Sequence, residues 1–277
     1  MSLSSTPCEK CSLLQFKKDL KPTTLKSYAS CYDKIRQHFK GNIADQSIED
    51  LVNYIKSETK ISTRLNLLNI IVVVFQMRNK DTFDLIELRE KLIDIQNGER
   101  KITNAKLTET LPTVKELLDY LDFLSLNEKW IEFIINYLLI HLNCRNADLF
   151  IDIVDCVPSE TSSNYLVIED SQIRFIRYIY KTCKTYQKKE DVITDERFIK
   201  AVKSLGVRSL ILNSCGEKIT LDRIGTNVKR FSFKELGEII IFKSIMKEAT
   251  LATVADLSKN RGSAISTLLQ FYYTTSS

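Results

Sequence analysis

Apolar residues recur at helical spacing along most of the chain. In KPTTLKSYASCYDKIRQHF, Leu25, Tyr28, Tyr32, Ile35 and Phe39 fall three or four positions apart, and Thr23 or Thr24 can cap the helix after Pro22. SIEDLVNYIKSE opens on Ser47 with an acid in its first turn, a good helix start. STRLNLLNIIVVVFQMRN is a third helix, apolar enough to be mostly buried, and DTFDLIELREKLIDIQ is a fourth. Four short helices with tight connections predict a small all-α domain over residues 12–96. Residues 1–11 carry no such period and are expected to form a loose terminus. The stretch NGERKITNAKLTETLP, 97–112, is polar and aperiodic and is expected to link two domains.

The pattern changes in the second half. TVKELLDYLDFL and EKWIEFIINYLLIHL are helices, whereas FIDIVD and YLVIED look like strands. From 172 onward the residues alternate. Arg174, Ile176, Tyr178 and Tyr180 share one parity, and Ile173, Phe175, Arg177 and Ile179 the other. This predicts a strand, a turn near Lys184 and a return strand ending at Val192 and Ile193. DERFIKAVKSLG is a helix stopped by Gly206, and the remainder is mainly helical. The fold class expected is mainly α with a small β component.

Composition narrows the function. With 7 Gly and 4 Pro in 277 residues, a loop-rich β protein is disfavoured. The net charge of +5 is unevenly placed: 16 basic and 13 acidic residues in 1–100, 5 and 12 in 101–170, 19 and 10 in 171–277. The last third is electropositive, the footprint of a polyanion binder. The odd count of 7 Cys, with no signal peptide apparent, points to reduced thiols and an intracellular setting. Cys8-Glu-Lys-Cys11 has zinc-knuckle spacing, but no second pair lies nearby and His38 is only a remote ligand. IIVVVF is too short to span a membrane. No glycine-rich phosphate loop and no paired CxxC motif occur.

Two stretches carry candidate chemistry. Arg145 interrupts the apolar run YLLIHLNCRNADLFIDIV beside Asn143, Asn146 and Asp148. An arginine in core-like sequence is costly unless it is paired or grips an anion. It is either a helix-end residue paired with Asp148 or a guanidinium held to grip a phosphate. His141, four positions earlier, is expected to be a buried, hydrogen-bonded histidine. In the hairpin, Arg174, Arg177, Lys181, Lys184, Lys188 and Lys189 interleave with tyrosines. That is a solvated edge or a ribbon laid on a phosphate backbone.

Taken in order, these parts resemble the tyrosine recombinase (phage integrase) family across nearly the whole chain. The resemblance rests on the helix bearing Thr24 and Tyr28, on the helix start at Leu111-Pro112, on CRNADL with its acid three residues after Arg145, on the hairpin with YKTCKT, and on the late segment LSKNRGSAISTLLQFYY. The asparagine-rich form of the arginine motif looks like divergent members from large DNA viruses, which would place the protein in a nucleus or at a viral replication site. The resemblance implies a helical core-binding domain, a linker and a catalytic domain over 113–277. It implies DNA cutting and rejoining through a 3′-phosphotyrosyl bond on double-stranded DNA, by a homo-oligomer assembled on that DNA, with no cofactor and no metal. Arg145 would be the first arginine and Lys181 or Lys184 the leaving-group acid, with Lys184 better spaced for the return strand. Tyr272 or Tyr273 would be the nucleophile. Arg174, Arg177, Lys188 and Lys189 would contact DNA. The family's His-x-x-Arg box is not present: its place reads LGEIIIFKSIMKEA, where Lys243 is the nearest cation. Arg261 in SKNRGSAIST is a second source of charge. The four residues after Tyr273 are also a shorter tail than active members often carry. A recombinase-like DNA-binding or architectural protein without cleavage is therefore the alternative. An all-α interaction protein with an incidental basic hairpin is a third reading.

Overall fold

The computed structural model describes residues 8–20, 22–159, 162–180, 188–206, 208–213, 215–261 and 263–272. The chain forms two compact units, residues 1–102 and 103–277. It is mainly helical with one small sheet. Among the described residues no helix is long and apolar enough to cross a membrane.

The first unit holds α1 (Glu9–Phe16), α2 (Pro22–Phe39), α3 (Ile48–Ser57), α4 (Ile61–Met77) and the start of α5 (Phe83–Glu109). Ser47 caps α3 by accepting from the Asp50 N–H. Helix α4 is buried nearly all round, and its Leu67, Leu68, Ile71 and Val74 pack with Tyr32, Ile35, Leu51, Ile55, Leu85 and Leu92 into one core. Each such side chain contributes roughly 1.5–3 kcal/mol. Residues 9–11, expected in a loose terminus, begin helix α1. The Glu9 carboxylate is buried and accepts from the Tyr32 hydroxyl at 3.0 Å and from the Ile43 and Ala44 N–H groups at 2.8 and 3.1 Å. A single acid thus anchors a helix too short to hold itself. Helix α5 runs on through residues 97–109, where the sequence suggested an aperiodic linker, and the division between the units falls inside it. Polar helices have no hydrophobic stripe to betray them.

The second unit opens with α6 (Val114–Leu126), started by a Thr113–Glu116 capping box, and α7 (Trp130–His141). Four strands follow: β1 (Ile151–Val154), β2 (Asn164–Ile168), β3 (Ile173–Arg177) and β4 (Lys189–Ile193). Their order is β1-β2-β3-β4, with β1 parallel to β2 and the other pairs antiparallel. The hairpin pairs Ile173 with Ile193 and Arg177 with Lys189. Strand β3 ends before Tyr178 because the Asn164 side chain accepts from the Tyr178 and Ile179 N–H groups at 2.8 and 2.7 Å. The turn around Lys184 lies outside the described residues. After the sheet come α8 (Glu196–Leu205), α9 (Ile224–Phe231), α10 (Glu238–Glu248), α11 (Leu251–Arg261) and α12 (Ile265–Phe271). Gly206 ends α8 at φ +71°, a conformation that favours glycine. Helices α6, α7 and α8 and the sheet share one core that includes Leu121, Phe133, Leu138, Ile151, Phe175 and Phe198. Phe242, Met246, Val254, Leu257 and Leu268 form a smaller core among the last three helices, with Tyr272 packed on it.

Candidate functional site

The site is built where the end of α7 meets the end of α11. Asn143 adopts φ +52° and ends α7, and the Cys144 N–H returns to the Leu138 carbonyl at 3.2 Å. The next residue, Arg145, begins a single 3₁₀ turn, Asn146–Leu149. The carboxylate of buried Asp148 accepts from the Arg145 N–H at 3.0 Å, which fixes the backbone that aims the arginine. The local acid therefore holds Arg145 through its peptide N–H, not its side chain. The Arg145 guanidinium donates to Ser263 Oγ at 2.7 Å, its one hydrogen bond among the described residues.

Arg261, the last residue of α11, is almost fully buried. It pairs with Glu238 at the start of α10 and donates to the Asn143 carbonyl at 3.4 Å. Its guanidinium stacks on Phe242, 3.9 Å from the ring centre, and lies 5.7 Å from the ring of Tyr272. Tyr272 follows α12 and meets Phe242 edge-on at 5.1 Å. Burial first, then the like charge of Arg261, lowers the Arg145 guanidinium below the usual arginine range, while Asp148, Glu238 and Tyr272 act the other way. Arg145 is thus brought to Arg261 and Tyr272 from more than a hundred residues away in sequence.

The hairpin supplies the other wall. Arg177 is 1% exposed and pairs with Asp148 at 3.4 Å and with Asp191. Its expected place on a DNA-facing surface is corrected: cross-strand pairing turns it inward, and its charge is spent inside the fold. Lys189 opens β4 and donates to the carbonyls of Lys259 and Asn260 at 3.1 and 2.7 Å. Burial first, then Arg177, lowers the Lys189 ammonium below the usual lysine range. Arg177, Lys189, Asp148, Ser263 and Arg261 line a cavity of about 400 Å³. Five of the six buried side-chain atoms without a hydrogen-bond partner among the described residues lie around this site: Asn143 Oδ1, Asn146 Oδ1, Asp148 Oδ1, Arg177 Nε and Arg261 Nε. Buried polar atoms need hydrogen-bond partners, and these five sit where water or a ligand group can supply them.

The remaining sequence candidates lie elsewhere. Arg174 pairs with Glu169 and, at 3.1 Å, with Glu190, and Lys188 pairs with Glu190 at 2.7 Å. Lys243 donates to Asn104 Oδ1 at 2.6 Å. Lys181, Lys184 and Tyr273 lie outside the described residues. His141, expected to be buried, is exposed, its ring 4.4 Å from that of Tyr137. His38 stacks on Tyr54 at 4.3 Å, and no group of three or more metal-ligating side chains occurs among the described residues. Sequence reasoning missed Glu238, Ser263 and Asp191. Glu238 reads as an ordinary first-turn acid, and Ser263 carries no local signal.

No family model matches the chain, and no curated protein matches it. Among solved structures it is similar to one described as the crystal structure of XerA recombinase, at a TM-score of 0.35 and 12% identity, covering 97% of this chain and 94% of that chain.

Proposed function

We propose that the protein binds duplex DNA and that its second unit performs phosphotyrosyl transfer on one backbone phosphate. The observation that carries the reading is that Arg145 meets Arg261 and Tyr272, both more than a hundred residues further along the chain, in a setting rich in buried polar groups. The basic last third of the chain, with 19 basic and 10 acidic residues, supplies attraction for the rest of the duplex.

In the reaction, the Tyr272 oxygen bonds to phosphorus in line with the 5′-oxygen, and the phosphorus–5′-oxygen bond breaks. Arg145 binds the nonbridging oxygens, whose charge grows in the transition state; one preorganised donor of this kind contributes about 3–4 kcal/mol. The tyrosine hydroxyl gives its proton to solvent and the leaving oxygen takes one. Lys189 joins Lys181 and Lys184 as a candidate donor, because its lowered ammonium releases a proton more readily than an ordinary lysine. Reversal of the steps on a second strand rejoins DNA. A homo-oligomer would bring two strands together.

One feature of the site favours the second reading, a DNA-binding protein without cleavage. Arg261 already donates to Glu238 and the Asn143 carbonyl, and the paired acid offsets the charge it would offer a phosphate. The readings separate on a library of nicked duplexes with randomised sequence, in which cleavage releases a short 5′-hydroxyl fragment. Covalent protein–DNA adduct that survives denaturation, and that Arg145→Lys strongly reduces, supports transfer. Salt-dependent binding without adduct on any substrate supports the second reading.

A further inference from the structure

We propose that Cys8 and Cys11, in the first unit, form a thiol–disulfide exchange site in which Cys8 attacks a low-molecular-weight disulfide and Cys11 resolves the product. The proposal is independent of the DNA chemistry. Cys8 is the N-cap of α1; its sulfur accepts from the Cys11 N–H at 3.3 Å, and the two thiols touch at 2.7 Å. Both residues are exposed and free. The two thiols are therefore already in contact, one turn of helix apart, and closing a bond between them requires no movement of the backbone between distant parts of the fold.

The pair is asymmetric. Contact with the Cys11 thiol and the bond from the Cys11 N–H, with a smaller part from Arg36, lower the Cys8 thiol below the ordinary cysteine value of 9.0, while contact with Cys8 and burial raise Cys11. One sulfur is prepared as a nucleophile and the other waits as a thiol, the division of labour that exchange chemistry needs. The turn that bears them is fixed from behind. Between them Glu9 is clamped to Tyr32, Ile43 and Ala44, and Lys10 pairs with Asp33 at 2.6 Å. A cavity of about 690 Å³ opens at Cys11, lined by Gln15, Phe16, Gln76 and Asn79. Its amides suit a small peptide disulfide such as glutathione disulfide.

The Cys8 thiolate attacks one sulfur of glutathione disulfide, whose S–S bond breaks and releases one glutathione thiolate. Cys11 then loses its proton to solvent and attacks the Cys8 sulfur, releasing the second glutathione thiolate. Two protein thiols are oxidised to one disulfide while one small disulfide is reduced to two thiols.

Full-length protein treated with limiting iodoacetamide at neutral pH provides the first test, with the exposed Cys156 and Cys215 as internal controls. Peptide mass spectrometry is expected to show Cys8 alkylated about tenfold faster than either control. In glutathione disulfide, wild type should acquire the Cys8–Cys11 bond. Cys11→Ser should instead retain glutathione on Cys8, and Cys8→Ser should leave Cys11 mostly unmodified over the same time. Equal alkylation rates at Cys8 and the controls, failure of the internal disulfide to form, or a stoichiometric zinc ion protecting both thiols in the purified protein would each overturn the proposal.

Discussion

Removing Asp148 should damage the second unit twice, through Arg177 and through Arg145. Asp148 is 3% exposed and Arg177 1% exposed, so their 3.4 Å pair is a buried one. Taking one partner from a buried pair costs about 3–5 kcal/mol when the other is stranded. Arg177 keeps Asp191, which puts the effect of Asp148→Ala at the low end, about 3 kcal/mol, including about 1 kcal/mol for the lost Arg145 N–H bond. Asp148→Asn keeps an acceptor for that N–H and loses only charge, so it should cost about half as much. The single tryptophan, Trp130, packs against Phe133 in the second unit and reports its unfolding without interference from the first. At a slope of about 2 kcal/mol per molar urea, Asp148→Ala should lower the fluorescence midpoint by about 1.5 M. The Asp148→Ala/Arg177→Ala double variant should fall short of the summed single effects, because the second change removes the stranded charge. A midpoint within about 0.2 M of wild type for Asp148→Ala would refute the reasoning.

Lys189 is lowered below the ordinary lysine value, so in the window just beneath 10.5 the unfolded chain holds more protons than the folded one. Stability of the second unit should therefore rise with pH through that window, and Lys189→Met should flatten the slope of the Trp130-followed urea midpoint. Glu238→Gln removes the charge that occupies Arg261; it should cost the second unit about 1–2 kcal/mol and strengthen duplex binding several-fold in fluorescence anisotropy, a prediction that fails if affinity drops. Arg174→Ala should flatten the logarithmic salt dependence of DNA binding by clearly less than about one unit, since Arg174 already serves Glu169 and Glu190. Glu9→Ala leaves two buried N–H groups and the Tyr32 hydroxyl without an acceptor, and should destabilise the first unit by about 3 kcal/mol, measured by circular dichroism.

Periodicity carried most of the fold. Ser47 and Gly206 mark helix ends that the structure places at the same residues, because capping chemistry is local. The hairpin alternation was legible for the same reason: parity survives in sequence. What failed depended on distant partners. Helix α1 is held by Glu9 reaching residues more than thirty positions away, and no local pattern records that reach. Residues 97–109 are helical without an apolar stripe. At the site, Arg145 stood out because an arginine in apolar sequence is anomalous, and Asn143 could be noticed beside it. The partners that decide whether the arginines are available, Glu238 for Arg261 and Ser263 for Arg145, are ordinary residues of their own segments. Arg177 looked like a surface cation because a single strand does not reveal that its cross-sheet neighbours are acids.

The central claim concerns one atom, the hydroxyl oxygen of Tyr272. Adduct trapped on the nicked library, digested with protease and nuclease and then sequenced by mass spectrometry, locates the nucleotide. Attachment to Tyr272 in wild type, with none formed by Tyr272→Phe and normal amounts by Tyr273→Phe, is the expected result. A nucleotide on Tyr273, or no covalent DNA on any tyrosine across the whole library, would contradict it.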